Sequence, residues 1–399
     1  MRRGDCSPPA LVPLLSQFFV NPTCDPASSL PGMGREALLF HAGMEGYRST
    51  PLLPLPSLQQ ILGLQQLWIK DESDRFGLPS FKILGASWAV YRALCERLRL
   101  SVESNPSLNA LRRRLSSLPP VTLTSATDGN HGRAVARVAK LLGLPARVFM
   151  PAGSSLLRIR AIEGEGASVV VGGTYDDAVP TAAREAKRDG LLVQDTAFTG
   201  YERIPAWIVE GYATLLAEVD ESLRLNGEPA PTHVFVQMGV GSLAEAVVRY
   251  YRREGTKAGP IMIGVEPDEA ACILESIRKG AVVTLEGEQH SIMAGLNCGT
   301  MSSSAFAILK RGMDCFMTID DERAKEAMCL LANEGVVSGE TGAAGLGGLI
   351  EIMSHDKMKN MVDLSAASRV LLISTEGATD PDSYEATTGR SSFDHKKAK

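Results

Sequence analysis

Short apolar, β-branched runs alternate with amphipathic stretches along most of this chain, and that alternation leaves few architectures open. A run such as His233–Gln237 is too short for a helix and reads as a buried strand, while the segments between such runs carry apolar residues at helical spacing. Predicted strands are Gln66–Lys70, Val121–Ser125, Ala146–Met150, Ser168–Val171, Leu191–Gln194, His233–Gln237, Met262–Val265 and Val370–Ser374. Predicted helices are Lys82–Leu98, Gly132–Leu142, Tyr175–Asp189, Ala206–Leu223, Leu243–Arg253, Glu322–Asn333 and Ala343–Ser354. The pattern signals an α/β fold: open twisted parallel sheets with flanking helices.

The 399 residues suffice for two lobes with cores of their own, at roughly 100–200 residues per domain. A net charge of −5 points away from nucleic acid, which calls for a basic patch. Seven cysteines without a Cys-x-x-Cys pair offer no metal-type spacing and suit a reducing compartment. Arg2 and Arg3 precede an apolar stretch, Ala10–Val20, but Asp5, Pro8, Pro9, Pro13 and Gln17 interrupt that region and no clean cleavage site follows. The expectation is a cytoplasmic protein without a signal peptide. No run reaches 18 apolar residues, so no membrane partner is expected. Ser101–Pro120, with Arg112–Arg114, reads as a surface excursion, and Ser383–Lys399 as a frayed tail.

Three places carry chemistry. The first is Ser80-Phe81-Lys82, at a loop-to-helix junction after Arg75-Phe76-Gly77-Leu78-Pro79. A lysine that forms a Schiff base needs burial or a nearby cation to lower its pKa, and Phe81, Ile83 and Leu84 suit that; otherwise it is a solvated lysine at a helix start. The second is Thr127-Asp128-Gly129-Asn130-His131-Gly132, directly after a strand. Strand, polar turn and helix is where open α/β sheets bind ligands, and the first N–H groups of such a helix can hold a carboxylate. The competing reading is a capping turn with Asp128 or Asn130 as the cap. The third is Gly239-Val240-Gly241-Ser242-Leu243, between a strand and a helix. Glycines let the backbone approach a phosphate, and the helix dipole favours the dianion. This stretch also reads Gly-x-Gly-x-x-Ala, with Glu266 25 residues after Gly241, which equally fits a dinucleotide.

Together and in this order, the three resemble the tryptophan-synthase-β-like (fold type II) family of pyridoxal-5′-phosphate (PLP) enzymes. Within it the chain is most similar to the diaminopropionate ammonia-lyases. The resemblance runs from Gly46-Tyr47-Arg48 to Asp380-Pro381. It includes Lys70-Asp71-Glu72-Ser73, Arg75–Leu78, Asp128–Gly132, Gln194-Asp195-Thr196-Ala197, Ile292–Leu296, Val337–Ala343 and Ser374-Thr375-Glu376-Gly377. Asp128 stands where serine and threonine dehydratases of this fold usually carry Ser. Two departures are Ala378 in place of Asp, and Ala197-Phe198-Thr199-Gly200, where an aromatic residue and then Glu are usual.

The resemblance implies a large PLP lobe (residues 1–85 and 200–399), a small lobe carrying the asparagine loop (86–199), and a homodimer. It implies α,β-elimination of 2,3-diaminopropionate to pyruvate and ammonia. Lys82 is the Schiff-base lysine and a base, and Asp128 the group that holds the β-ammonium or acts as a second base. Asp195 is a further carboxylate or else a structural cap. The cofactor would be bound by Asn130, by Gly239, Val240, Gly241, Ser242 and Leu243 at the phosphate, and by Ser374 or Thr375 at the pyridine nitrogen. His131 is read as structural. No metal is implied. A serine or threonine dehydratase or β-replacement enzyme is the second reading, and a non-catalytic PLP- or dinucleotide-binding protein the third. Cys272 and Cys298 are expected to approach each other and to be able to pair under oxidising conditions.

Overall fold

The computed structural model describes residues 16–100, 107–127, 129–173, 175–256 and 259–392. Eleven strands are present among them: β1 (Phe18–Val20), β2 (Leu52–Pro54), β3 (Gln66–Asp71), β4 (Thr122–Ala126), β5 (Ala146–Met150), β6 (Ser168–Val171), β7 (Gly190–Leu192), β8 (His233–Gln237), β9 (Ile261–Pro267), β10 (Cys315–Ile319) and β11 (Arg369–Ser374). They form a seven-stranded sheet, ordered β1-β10-β9-β8-β11-β3-β2, and a four-stranded sheet, ordered β6-β5-β4-β7. All pairs are parallel except the two edge pairs of the larger sheet, β1–β10 and β2–β3.

All eight predicted strands and seven predicted helices are present, with ends shifted by up to three residues. β1, β2 and β10 were not expected. β1 and β2 are three-residue edge strands, too short to show alternation. β10, CFMTI, is buried at every position, so it shows no alternation that would separate it from neighbouring apolar helix. β1 accounts for the end of the apolar N-terminal stretch: Phe18–Val20 pairs with Cys315–Met317. Two surface expectations are corrected. Within Ser101–Pro120, Leu108–Leu115 is a helix that buries Leu108, Leu111 and Leu115 and exposes the three arginines. The start of the expected tail belongs to the helix Pro381–Thr388, capped by Asp380 and anchored by buried Tyr384.

Lys82 opens a 16-residue helix, Lys82–Arg97, that is buried on nearly every side. It crosses the helix Arg203–Leu225 at a pair of glycines: a Cβ on Gly211 would meet Leu84 O and lie 2.8 Å from Gly85 Cα. That close approach fixes the depth of Lys82. The loop from β3 into this helix is held by a buried ionic cluster. Arg75 donates to Glu72 (Nε–Oε2 2.8 Å) and to Glu218 (Nη1–Oε1 2.7 Å), and Lys70 donates to Glu218 at 2.6 Å. Lys70-Asp71-Glu72-Ser73 and Arg75–Leu78 thus anchor the approach to Lys82.

Candidate active site

Parallel pairing brings the carboxyl ends of β8, β11 and β3 to one edge of the larger sheet, at Gln237, Ser374 and Asp71. The carboxyl end of β4 leads to Asn130. Between these ends lies a cavity of about 940 Å³, lined among others by Lys82, Asn130, Asp195, Gly239–Leu243, Thr375 and Glu376. Ligands of open α/β sheets bind at such strand ends.

Lys82 is held on both sides. Phe81 N–H donates to Thr375 O (3.3 Å) and Gly377 N–H to Pro79 O (3.0 Å), so Ser80–Lys82 runs beside Thr375–Gly377. Its ammonium donates to Asp195 Oδ2 at 2.7 Å and lies 5.5 and 5.9 Å from the ring centroids of Phe81 and Tyr212. Asp195 is buried, which by itself would raise its carboxyl; the Lys82 and His131 charges outweigh that and hold it far below the ordinary carboxylate range. Asp195 follows β7, and its backbone carbonyl accepts from Ser242 Oγ at 2.6 Å, tying it to the glycine loop. His131 is buried, with Nε2 2.9 Å from Val193 O and Nδ1 3.8 Å from Asp195.

Asn130 is the first residue of the helix Asn130–Leu142 rather than its cap. Thr127 Oγ1 accepts from Gly129 N–H (3.0 Å) and Gly132 N–H (3.2 Å). That leaves the Asn130 carboxamide for another task, and it donates to Glu376 Oε2. Asp128 lies outside the described residues.

The glycine loop fits a phosphate. Gly241 has φ +95°, where L side chains are strained, and a Cβ there would sit 3.0 Å from Ala305 Cβ and 3.1 Å from Ile273 Cδ1. A Cβ on Gly239 would lie 2.8 Å from Gly295 O. The loop therefore presents bare backbone, followed by the helix Ser242–Tyr251, whose first N–H groups have no carbonyl of their own helix to meet. No disulfide joins Cys272 and Cys298. The two thiols do approach each other, both sitting against Gly239: Cys272 Sγ is 3.8 Å from its carbonyl oxygen, and Cys298 Sγ would lie 3.1 Å from a Cβ placed there.

At the end of β11 the two hydroxyl candidates separate. Ser374 Oγ is engaged with Ser338 Oγ (2.8 Å) and Glu376 O (3.3 Å). Thr375 lines the cavity, and its Oγ1 accepts from Gln237 Nε2 at 2.9 Å. With that acceptor position taken, the Thr375 O–H is left to donate. Gln237, Thr341 and Glu376 were not singled out from the sequence. Gln237 reaches Thr341 O and Thr375 Oγ1, 104 and 138 positions away, Thr341 accepts from Gly295 N–H, 46 away, and Glu376 meets Asn130, 246 away, so only their place at strand ends or in the matched stretches pointed to them. Ala378 packs against the hydrophobic core and offers no polar group where the resembling enzymes carry Asp.

The dinucleotide alternative fails on Glu266. Its carboxylate is fully buried and accepts from Ile273 and Leu274 N–H, both at 2.8 Å, capping the helix Cys272–Lys279. It cannot also meet a ribose. The lysine at a helix start, the bare glycine loop and the Thr375 hydroxyl in the same cavity fit PLP instead.

The sequence pattern of the pyridoxal-phosphate dependent enzymes matches residues 44–376, and the chain belongs to that family. PLP is its cofactor. Among its members the chain is 42% identical over 368 residues to a diaminopropionate ammonia-lyase of Salmonella typhimurium, covering 88% of this chain and 91% of that one. The fold superposes on the Escherichia coli diaminopropionate ammonia-lyase in complex with D-serine with a TM-score of 0.87 at 37% identity, covering 94% and 96% of the two chains. Against the same enzyme holding an aminoacrylate-PLP azomethine reaction intermediate, the TM-score is 0.84 at 36% identity.

Proposed function

We propose that this enzyme eliminates ammonia from 2,3-diaminopropionate, giving pyruvate and a second ammonia after hydrolysis. The carrying observation is the Lys82–Asp195 pair, 2.7 Å apart, in a cavity that also presents the bare glycine loop and Thr375. PLP would hold the α-amine and delocalise the electrons left at Cα. Gly239–Leu243 would bind its phosphate through backbone N–H groups, and Asn130 and Thr375 would hold its ring. Lys82 would anchor the cofactor covalently and, as a free amine, would take the α-proton from one face. A β-amine leaves only as ammonia, so it must carry a proton. Asp128 is assigned to hold it as an ammonium, or to remove the α-proton from the opposite face. Asp195 keeps an anion beside Lys82 and so favours its charged form between steps. A donor hydroxyl at the pyridine nitrogen, rather than a carboxylate, leaves that nitrogen largely unprotonated and favours prompt elimination over transamination.

Division into a cofactor lobe (1–85 and 200–399) and a smaller lobe (86–199) belongs to the same proposal and is supported by the two sheets. So do assembly as a homodimer and a cytoplasmic location. No helix among the described residues is long and apolar enough to cross a membrane.

The test is pyruvate formation from D- and L-diaminopropionate and from serine by parent, Lys82→Ala and Asp128→Asn proteins. Lys82→Ala should lose the visible band above about 400 nm and nearly all turnover. Asp128→Asn should keep that band and lose about 100-fold or more on the diamines, unequally for the two enantiomers, and less on serine. An equal, small loss on all three substrates would remove Asp128 from the chemistry, and faster turnover of serine than of either diamine by the parent would favour the dehydratase reading.

A further inference from the structure

Glu376 is a buried carboxyl group, 6% exposed, in the wall of the cofactor cavity, and the chemistry above gives it no task. It follows β11, and an isolated bridge joins it to Ser80, two residues before Lys82. Its backbone carbonyl accepts from Gly339 N–H at 3.1 Å. Its side chain crosses to the other sheet: Asn130, the first residue of the helix after β4, donates to Oε2. Thr341 also hydrogen-bonds to it. The charged groups facing it are Glu340, from the helix Glu340–Met353, and Arg158, from the helix Leu156–Glu163. One carboxyl group thus joins the asparagine loop to the segment lying beside Lys82.

We propose that Glu376 is a positioning residue whose proton decides which way the Asn130 carboxamide faces. An ionised carboxylate only accepts, so Asn130 must turn its NH₂ toward it, as in this structure. A protonated carboxyl can donate O–H to the carboxamide oxygen, which leaves both amide N–H bonds to turn into the cavity. Asn130 then holds the cofactor ring fully only while Glu376 carries its proton. Burial, then the negative charge of Glu340, raises the Glu376 carboxyl to about 7, against the opposing pull of Arg158, Thr341 and Asn130. The change of facing therefore falls near neutral pH.

The inference rests on the proposed placement of PLP beside Asn130. Its test compares the parent holoenzyme with Glu376→Gln and Glu376→Ala from pH 6 to 9, measuring kcat and KM on diaminopropionate, the visible absorbance and the PLP dissociation constant. The parent should show an inflection near pH 7 in kcat and in absorbance. Glu376→Gln, whose amide donates at every pH, should lose that inflection and turn over faster than Glu376→Ala. Glu376→Ala should lose about 10- to 100-fold in kcat, the scale of a misplaced group, with KM changed far less. A parent flat through pH 7 in both readouts, or an inflection kept unchanged in Glu376→Gln, overturns the proposal. If Glu376→Ala does not fold, the Glu376→Gln profile decides alone. A parent that makes no pyruvate from the diamine refutes the substrate assignment, while the absorbance profiles still decide on Glu376.

Discussion

At the residue scale, the Lys82–Asp195 pair shows how a side chain's task depends on a neighbour far along the chain. Lys82 alone is indistinguishable from any lysine at a helix start; what distinguishes it is a buried carboxylate 113 positions away. The sequence offered both residues, because each sits beside a readable strand or helix boundary. Glu376 and Gln237 were not legible, since nothing local announces that their side chains reach across to other elements. The pair also makes a prediction. Asp195→Asn keeps the size of the side chain and removes its charge. The protonated form of the nitrogen carried by Lys82 loses its stabilising anion, so the pH midpoint of the visible band should move down. Turnover should fall about 100-fold, the scale of a positioned acid–base group. A band midpoint equal to the parent's would reduce Asp195 to a cap for the turn that follows it.

The glycine loop shows what is readable at the scale of an element. Strand, glycines and helix were plain in the sequence, but the same letters fitted a phosphate monoester or a dinucleotide. The structure separates them through Glu266, which the fingerprint reads as a ribose ligand and the fold uses as a helix cap. β10 failed for a related reason: a run buried on all sides carries no period, so its partners, not its pattern, make it a strand. Gly241 offers a test of the loop. Gly241→Val places a branched side chain at φ +95°, against Ala305 and Ile273. Backbone strain of this kind costs about 1–3 kcal/mol. If the loop must shift to relieve it, PLP affinity should fall by roughly 10-fold or more. Equilibrium dialysis of the holoenzyme measures this; retention as tight as the parent's would place the phosphate elsewhere.

For the whole molecule, the ionic cluster beneath the Lys82 loop governs acid stability. Lys70 on β3, Glu72 and Arg75 on the loop and Glu218 on the helix Arg203–Leu225 are all buried and mutually hydrogen-bonded. Burial opposes the charge on Glu218, but hydrogen bonds from Arg75 and the Lys70 charge prevail and hold its carboxyl at about 2. Its folded pKa thus lies below the ordinary 4.5, so the unfolded chain binds the extra proton between those values. The stabilisation is complete above pH 4.5 and is lost as pH falls toward 2. His41 acts in a higher window. Burial and the Arg75 charge lower its pKa to about 3, so stability falls as pH drops below 6.5. Glu218→Gln separates the two. At pH 7 it leaves Lys70 and Arg75 short of a countercharge, and breaking a buried pair in this way costs about 3–5 kcal/mol. Urea unfolding of the parent should show stability declining from pH 6.5 downward and more steeply below 4.5. In the variant, the decline set by His41 should persist, while the added slope below 4.5 shrinks to the share that Asp195, also held below its ordinary range, still supplies. A variant as stable as the parent at pH 7, with a parallel acid limb, would mean that the cluster contributes nothing to holding the Lys82 loop in place.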